Sequence, residues 1–142
     1  IDYAHGHEAD IVIFDRGIFD VIGWMRYWVK KGMLTPADEA LINGFFLMFA
    51  SYMDRSYIMT CDPDIAMDRE LRVALSDQLG ETTNPASIIK LVQRYQEMYK
   101  TLSPQFPQLY YLDTSELREQ EMVEIIAGDL LTTLEKKAGQ ST

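Results

Sequence analysis

The chain has 142 residues, 47% of them hydrophobic and 25% charged, a balance typical of a globular protein with a buried core. Its 22 acidic and 13 basic side chains leave a net charge of −9, which argues against binding of nucleic acid polymers or anionic membranes. The longest apolar run, Leu41 to Ala50, is shorter than the roughly 20 residues that span a bilayer. The single cysteine, Cys61, excludes an internal disulfide and favours a reducing, cytoplasmic location.

Short apolar runs alternate with longer helical patterns in the first half of the chain. Ile11 to Phe14 predicts a strand buried on both faces, and it is followed by Asp15-Arg16-Gly17. Apolar residues from Ile18 to Val29 have helical spacing, and Gly32 is a plausible stop. Thr35-Pro36 predicts the start of a second helix, which should run to about Met53 and is apolar on nearly every face.

The second half continues the alternation of strands and helices. The predicted order is a strand over 57–60, a helix over 64–76, a polar loop over 80–85, a helix opened by Asn84-Pro85 that reaches Leu102, a strand over 109–112, and a final helix. Strands separated by helices predict a parallel sheet with right-handed crossovers, so the expected class is α/β and helix-rich.

Polar residues follow each predicted strand directly. They are Asp15-Arg16, Cys61-Asp62 and Asp113-Thr114. In an open parallel sheet, ligands bind beyond the carboxyl ends of the strands. The sequence therefore predicts a small-ligand site at that edge.

The order of these features resembles the deoxynucleoside kinase and thymidylate kinase branch of the P-loop phosphotransferases. The resemblance covers most of residues 9–136. Its parts are the strand and acidic-Arg motif at 11–17, the helix pair at 18–53, the proline turn and Arg-bearing lid at 62–72, the helix at 88–99, and the last strand with its loop at 110–114. It implies a P-loop kinase-like three-layer αβα fold with a parallel sheet.

The resemblance also implies roles for individual residues, with ATP and Mg²⁺ as cofactors. Asp15 would lie near the Mg²⁺ and the phosphates, and Arg16 would hold a phosphate or the reacting oxygen. Asp20 would face the acceptor's sugar or order Arg16, and Trp24 would either stack on the acceptor's base or pack in the core or an interface. The donor nucleotide would be bound by the lid arginines Arg69 and Arg72, together with Asp113. Phosphoryl transfer depends mainly on positioned positive charge, which guanidinium groups supply.

Two departures from the family pattern affect these expectations. Gly17 stands where the family usually has an aromatic residue or serine, and no G-x-x-x-x-G-K-[ST] occurs in the chain. In the family, the P-loop strand lies between the strand before Asp15 and the strand that ends at Thr60. We therefore expect residues 1–142 to be the carboxyl-terminal part of a longer kinase domain, inactive alone, with a leading loop over 1–8 and a polar tail over 137–142.

The apolar helix that begins at Pro36 needs a covering surface. We expect a homodimer through helices within 18–53, which the resemblance also implies. The whole protein would phosphorylate a small acceptor, with a deoxynucleoside favoured. The alternatives are another P-loop small-molecule kinase, a degenerate nucleotide-binding regulator, or a helix-mediated interaction module without enzymatic activity.

Overall fold

The computed structural model describes residues 11–73 and 84–140. Its elements are α1 (Ile18–Lys30), α2 (Pro36–Leu47), a 3₁₀ helix (Ala50–Tyr52), β1 (Ser56–Thr60), α3 (Pro63–Val73), α4 (Pro85–Leu102), β2 (Leu109–Asp113) and α5 (Glu119–Gln140). The predicted loop over 1–8, the predicted helix end at 74–76, most of the predicted loop over 80–85, and residues 141–142 of the predicted tail lie outside the described residues.

Local capping signals set the starts of α2 and α4, as the sequence predicts. The Thr35 hydroxyl accepts from the Asp38 backbone N–H at 3.2 Å, and the Asp38 carboxylate accepts from the Thr35 backbone N–H at 2.9 Å. Asn84 Oδ1 accepts from the backbone N–H of Ser87 at 2.9 Å, one turn into α4. Gly32, just after α1, has a φ of 75°, a left-handed conformation suited to glycine.

The two strands pair in parallel, in a register that runs from Ser56 opposite Leu109 to Thr60 opposite Asp113. The predicted strands at 57–60 and 109–112 are thus confirmed, and the fold is helix-rich α/β. Because neighbouring side chains alternate between faces, Ile58 and Tyr57 point to opposite sides of the sheet. Ile58 packs in the core with α4, whereas the Tyr57 hydroxyl donates to Asp129 of α5. Helices therefore lie against both faces.

The core sits where α1 and α4 meet the sheet. Ile22 of α1 and Met98 of α4 are its fully buried large side chains. The buried cluster consists of Phe19, Ile22, Ala50, Ile58, Met98, Leu102 and Leu109. This packing positions both the start of α1 and the carboxyl ends of the strands.

The predicted strand at Ile11–Phe14 is wrong for this structure. These residues form no regular element, and Ile13 is 79% exposed. A strand needs a neighbour for its backbone hydrogen bonds, and no described segment pairs with this one. The apolar run therefore lies on the surface.

The predicted extent of the second helix is also wrong, because α2 ends at Leu47 and a 3₁₀ turn follows. Ala50 is fully buried, and its carbonyl oxygen accepts from the side chain of Gln108 at 3.0 Å. This contact draws the chain toward β1. No residue of α2 is buried, although its sequence is apolar. At the other end of the chain, residues 137–140, predicted to lie in a polar tail, continue α5.

Gly23 is required by the contact between α1 and α4. A Cβ at this position would lie 2.5 Å from Cε1 of Tyr95. We expect Gly23→Ala to lower the free energy of unfolding by about 1–3 kcal/mol, because the aromatic ring must move. Urea denaturation measures the change.

Gly128→Ala is the matched control, since a Cβ on this α5 glycine meets no atom within 4 Å. It should be neutral or stabilising by up to about 1 kcal/mol, as expected for alanine within a helix. Equal destabilisation by the two substitutions would contradict the close contact at Gly23.

Candidate functional site

The carboxyl ends of β1 and β2 enclose a polar pocket of about 210 Å³, called the polar pocket below. Its polar lining residues are Thr60, Asp62, Gln96, Tyr111, Asp113 and Ser115. The structure thus brings together two of the three predicted polar groups, Cys61-Asp62 and Asp113. Residues 15 and 16 do not line this pocket.

Ser115 joins the two strand ends. Its hydroxyl oxygen accepts from the Asp62 backbone N–H at 2.8 Å and donates to Asp113 Oδ1 at 2.6 Å. The hydrogen bond from the Ser115 hydroxyl, followed by that from its backbone N–H, lowers the pKa of the Asp113 carboxyl. Asp113 is therefore ionised at neutral pH. Its pocket offers mainly acceptor atoms, which suit amino and hydroxyl groups of a ligand.

Arg69 braces the loop after β2. Its guanidinium donates to Thr114 Oγ1 at 3.1 Å and to the backbone carbonyl oxygens of Thr114 and Leu117 at 2.8 and 3.2 Å. The predicted lid arginine is thus engaged next to the polar pocket. Arg72 is exposed, and its partner is Asp68, one turn earlier in α3.

Asp15 and Arg16 are both exposed and precede α1. Arg16 has a φ of 59°, the left-handed region, which costs a residue with a Cβ about 1–2 kcal/mol. The other six arginines of the chain contact a carboxylate or a neutral oxygen acceptor. Within the described ranges, the Arg16 guanidinium has no hydrogen bond or ion pair.

Asp20 accepts a hydrogen bond from the Tyr95 hydroxyl, which joins the first turn of α1 to α4. Burial, followed by the hydrogen bond to Asp20, raises the pKa of Tyr95, so the phenol stays protonated and donates. Trp24 lies one turn further along α1, where its ring stacks on Trp28 with centroids 5.7 Å apart. Both predicted acceptor-binding residues therefore already have partners within the fold.

A second, apolar pocket of about 290 Å³ lies between the start of α1 and the end of α2. It is called the apolar pocket below. Its apolar lining residues are four phenylalanines, Phe14, Phe45, Phe46 and Phe49, together with Ile18, Val21 and Met53. Arg16 is the charged residue that lines it.

Sequence reasoning missed Ser115 and Tyr95 as site residues. Ser115 directly follows the predicted group Asp113-Thr114, so its position after a strand was an available signal. Tyr95 lies in the predicted helix that reaches Leu102, where its spacing matches the apolar face. Its partner Asp20 is 75 residues away, and no local pattern reveals that pair.

The residues present can be compared with what Mg²⁺ requires. The described ranges contain no cluster of three or more histidine, cysteine or acidic side chains that could hold a metal ion. Mg²⁺ bound with a nucleotide, however, often takes one or two carboxylates, with phosphates and water as its other ligands. Asp15 could supply one carboxylate to a Mg²⁺ ion of this kind, whose other ligands would be phosphates and water.

Comparisons with known proteins found no protein-family model, curated protein or solved structure that matches the chain. None of the helices in the described ranges has the length and apolar character needed to cross a membrane.

Removal of the Arg69 guanidinium tests its bracing role. Arg69→Ala removes three hydrogen bonds to Thr114 and Leu117, and the Thr114 carbonyl oxygen keeps only its bond from the Leu117 backbone N–H, so we expect the free energy of unfolding to fall by about 2 kcal/mol. Arg69→Lys should recover only part of this, because an ammonium group lacks the planar fork.

Arg72→Ala serves as the control from the same helix. It removes an exposed ion pair and should change stability by no more than about 0.5 kcal/mol. If the two alanine variants unfold at the same urea concentration, Arg69 does not brace the loop.

Proposed function

We propose that this chain is part of an ATP-dependent phosphotransferase that acts on a small acceptor, with a deoxynucleoside as the first candidate. The observation that carries the proposal is the state of Arg16, which is exposed, in a left-handed backbone conformation, and unpaired within the described residues. Backbone strain concentrates at functional sites, and a free guanidinium suits phosphate oxygens.

The sheet supports this proposal because, among the described residues, one side of β1 has no partner strand. β1 pairs with β2 on one edge only, and the apolar segment 11–14, which forms no regular element, exposes Ile13 and Phe14. A further strand between that segment and β1 would satisfy free backbone groups and cover Ile13, whereas Phe14 lines the apolar pocket. The family resemblance predicts the P-loop strand at this position. We therefore propose that chain outside these 142 residues contributes the P-loop and its lysine.

The proposed roles follow from the contacts of each residue. Arg16 would hold the oxygens of the transferred group, and Asp15 would direct one carboxylate toward Mg²⁺. Asp20, oriented by Tyr95, would face the acceptor or order Arg16, and Trp24 would contact the acceptor from its aromatic cluster.

On the nucleotide side, Asp113 and the polar pocket would accept hydrogen bonds from amino or hydroxyl groups of the donor. Arg72 would close over the donor's phosphates, because its exposed pair with Asp68 costs little to break. Arg69 would keep the adjoining loop in place. A cytoplasmic location belongs to the proposal, since ATP and the lone Cys61 both fit that compartment.

Transfer of radiolabelled γ-phosphate from ATP to a panel of nucleosides tests the activity in the protein as it occurs naturally. We expect Arg16→Gln to lower kcat/KM by about 100-fold or more, and Arg16→Lys to retain part of the activity. Arg118→Gln is the control, because Arg118 is an exposed arginine in front of α5.

Two results would overturn the kinase proposal. One is the absence of both transfer and a G-x-x-x-x-G-K-[ST] sequence in the natural protein. The other is full activity in Arg16→Gln.

A homodimer through residues 18–53 is the second part of the proposal, and a pure interaction module is its non-enzymatic alternative. The supporting observation is the exposed α2 face, which consists of Leu41 and Phe45 together with Met48, the residue directly after the helix, and Leu41 is 76% exposed. Apolar residues grouped in this way on a helix are typical of an interface.

Sedimentation of the protein with Leu41→Glu tests the interface. A carboxylate at the centre of a dimer contact should raise the dissociation constant by at least about tenfold. Leu131→Glu is the matched control, because Leu131 is a similarly exposed leucine on α5. A wild-type protein that sediments as a monomer, or a dimer that tolerates Leu41→Glu, would contradict this interface.

A further inference from the structure

We infer that the apolar pocket binds a small amphipathic anion, with a flat apolar body against the phenylalanines and an anionic group at Arg16. This goes beyond the proposed function, because such binding requires neither ATP nor phosphoryl transfer.

The wall of the pocket favours a flat ring as the ligand body. Phe45 meets Phe46 and Phe49 edge to face, with ring centroids 5.4 and 5.3 Å apart, so the three rings form one aromatic surface. Phe14 faces the same space, and half of its side chain is exposed to solvent. A ligand ring placed here would remove apolar surface from water and could add edge-to-face contacts. The volume of about 290 Å³ is near the lower end for small-molecule pockets and suits one or two fused rings.

Arg16, the one charged residue that the described part of the pocket lining contains, determines which chemical group the ligand carries at its polar end. Among its described lining residues, Arg16 has the only side chain able to form a strong hydrogen bond, since the rest are Phe, Ile, Val, Met and Gly. A polar group placed against the other lining side chains would find no side-chain hydrogen-bond partner. The polar end must therefore meet Arg16, and a guanidinium selects carboxylate, sulfonate or phosphate.

The state of Arg16 makes it available for this contact. No acidic side chain in the described ranges pairs with it, and the carboxylate of Asp20 instead accepts from Tyr95. A ligand anion would not have to displace a protein carboxylate. The same lining disfavours a nucleobase in this pocket, because among the described lining side chains only Arg16 could hydrogen-bond the base edges.

Binding of 1-naphthyl phosphate tests the inference, with neutral 1-naphthol as the matched probe. Isothermal titration calorimetry should show saturable one-to-one binding of the phosphate. Amide shifts in ¹H–¹⁵N spectra should centre on Gly17, Ile18 and Phe46. Arg16→Gln should lower the affinity for 1-naphthyl phosphate by about tenfold or more and leave the affinity for 1-naphthol unchanged.

Two further variants separate the contact from the fold. Glycine adopts the left-handed backbone conformation of residue 16 without a steric cost. Arg16→Gly should therefore lower the affinity for 1-naphthyl phosphate as much as Arg16→Gln does. Arg118→Gln removes an exposed arginine elsewhere and should leave both affinities unchanged.

Three outcomes would overturn the inference. They are equal affinity of wild type and Arg16→Gln for 1-naphthyl phosphate, shifts centred outside the apolar pocket, and a dimer that fills the pocket so that the probe does not bind. Transfer of γ-phosphate from ATP is measured separately, so loss of probe binding with intact transfer overturns this inference alone, and loss of transfer with intact probe binding overturns the kinase proposal alone.

Discussion

Burial of the carboxyl-terminal half of α4 is the interaction on which the other elements depend. Met98 is completely buried, and with Leu102 it joins Ile22 of α1 to Ile58 of β1 in one core. α4 also contacts α3 and β2. The start of α1, which Arg16 precedes by two residues, and the strand ends, which form the polar pocket, are therefore both positioned by the same helix.

Local signals explain why much of this fold could be predicted from the sequence. The capping bonds of Thr35 and Asn84 join residues three apart, so the starts of α2 and α4 are visible in the sequence itself. The end of α2 is different, because it depends on a bond between Ala50 and Gln108. The apolar run at 11–14 shows that the segment favours burial, but it cannot show whether a neighbouring strand is present.

Some contacts of the candidate site could likewise be predicted from the sequence, and others could not. Parallel topology predicts that Asp62 and Asp113 meet at one edge of the sheet, and the structure confirms it. Asp20 and Arg69, however, contact Tyr95 and Thr114, which are 75 and 45 residues away in the sequence. A short sequence motif cannot predict contacts over such separations. Arg69 is engaged by a loop rather than open to solvent, which a pattern of spaced arginines could not reveal.

Phe45 connects the two surfaces proposed here, because it lies on the exposed α2 face and also lines the apolar pocket. A second copy that packs over Phe45 must therefore change the environment of a ligand beside it. If the partner covers the mouth of the pocket and leaves Arg16 free, the ligand gains apolar contacts and favours the dimer. If a partner side chain enters the pocket, the ligand favours the monomer. Thermodynamic linkage makes each effect reciprocal, so ligand binding and assembly at this surface cannot be independent.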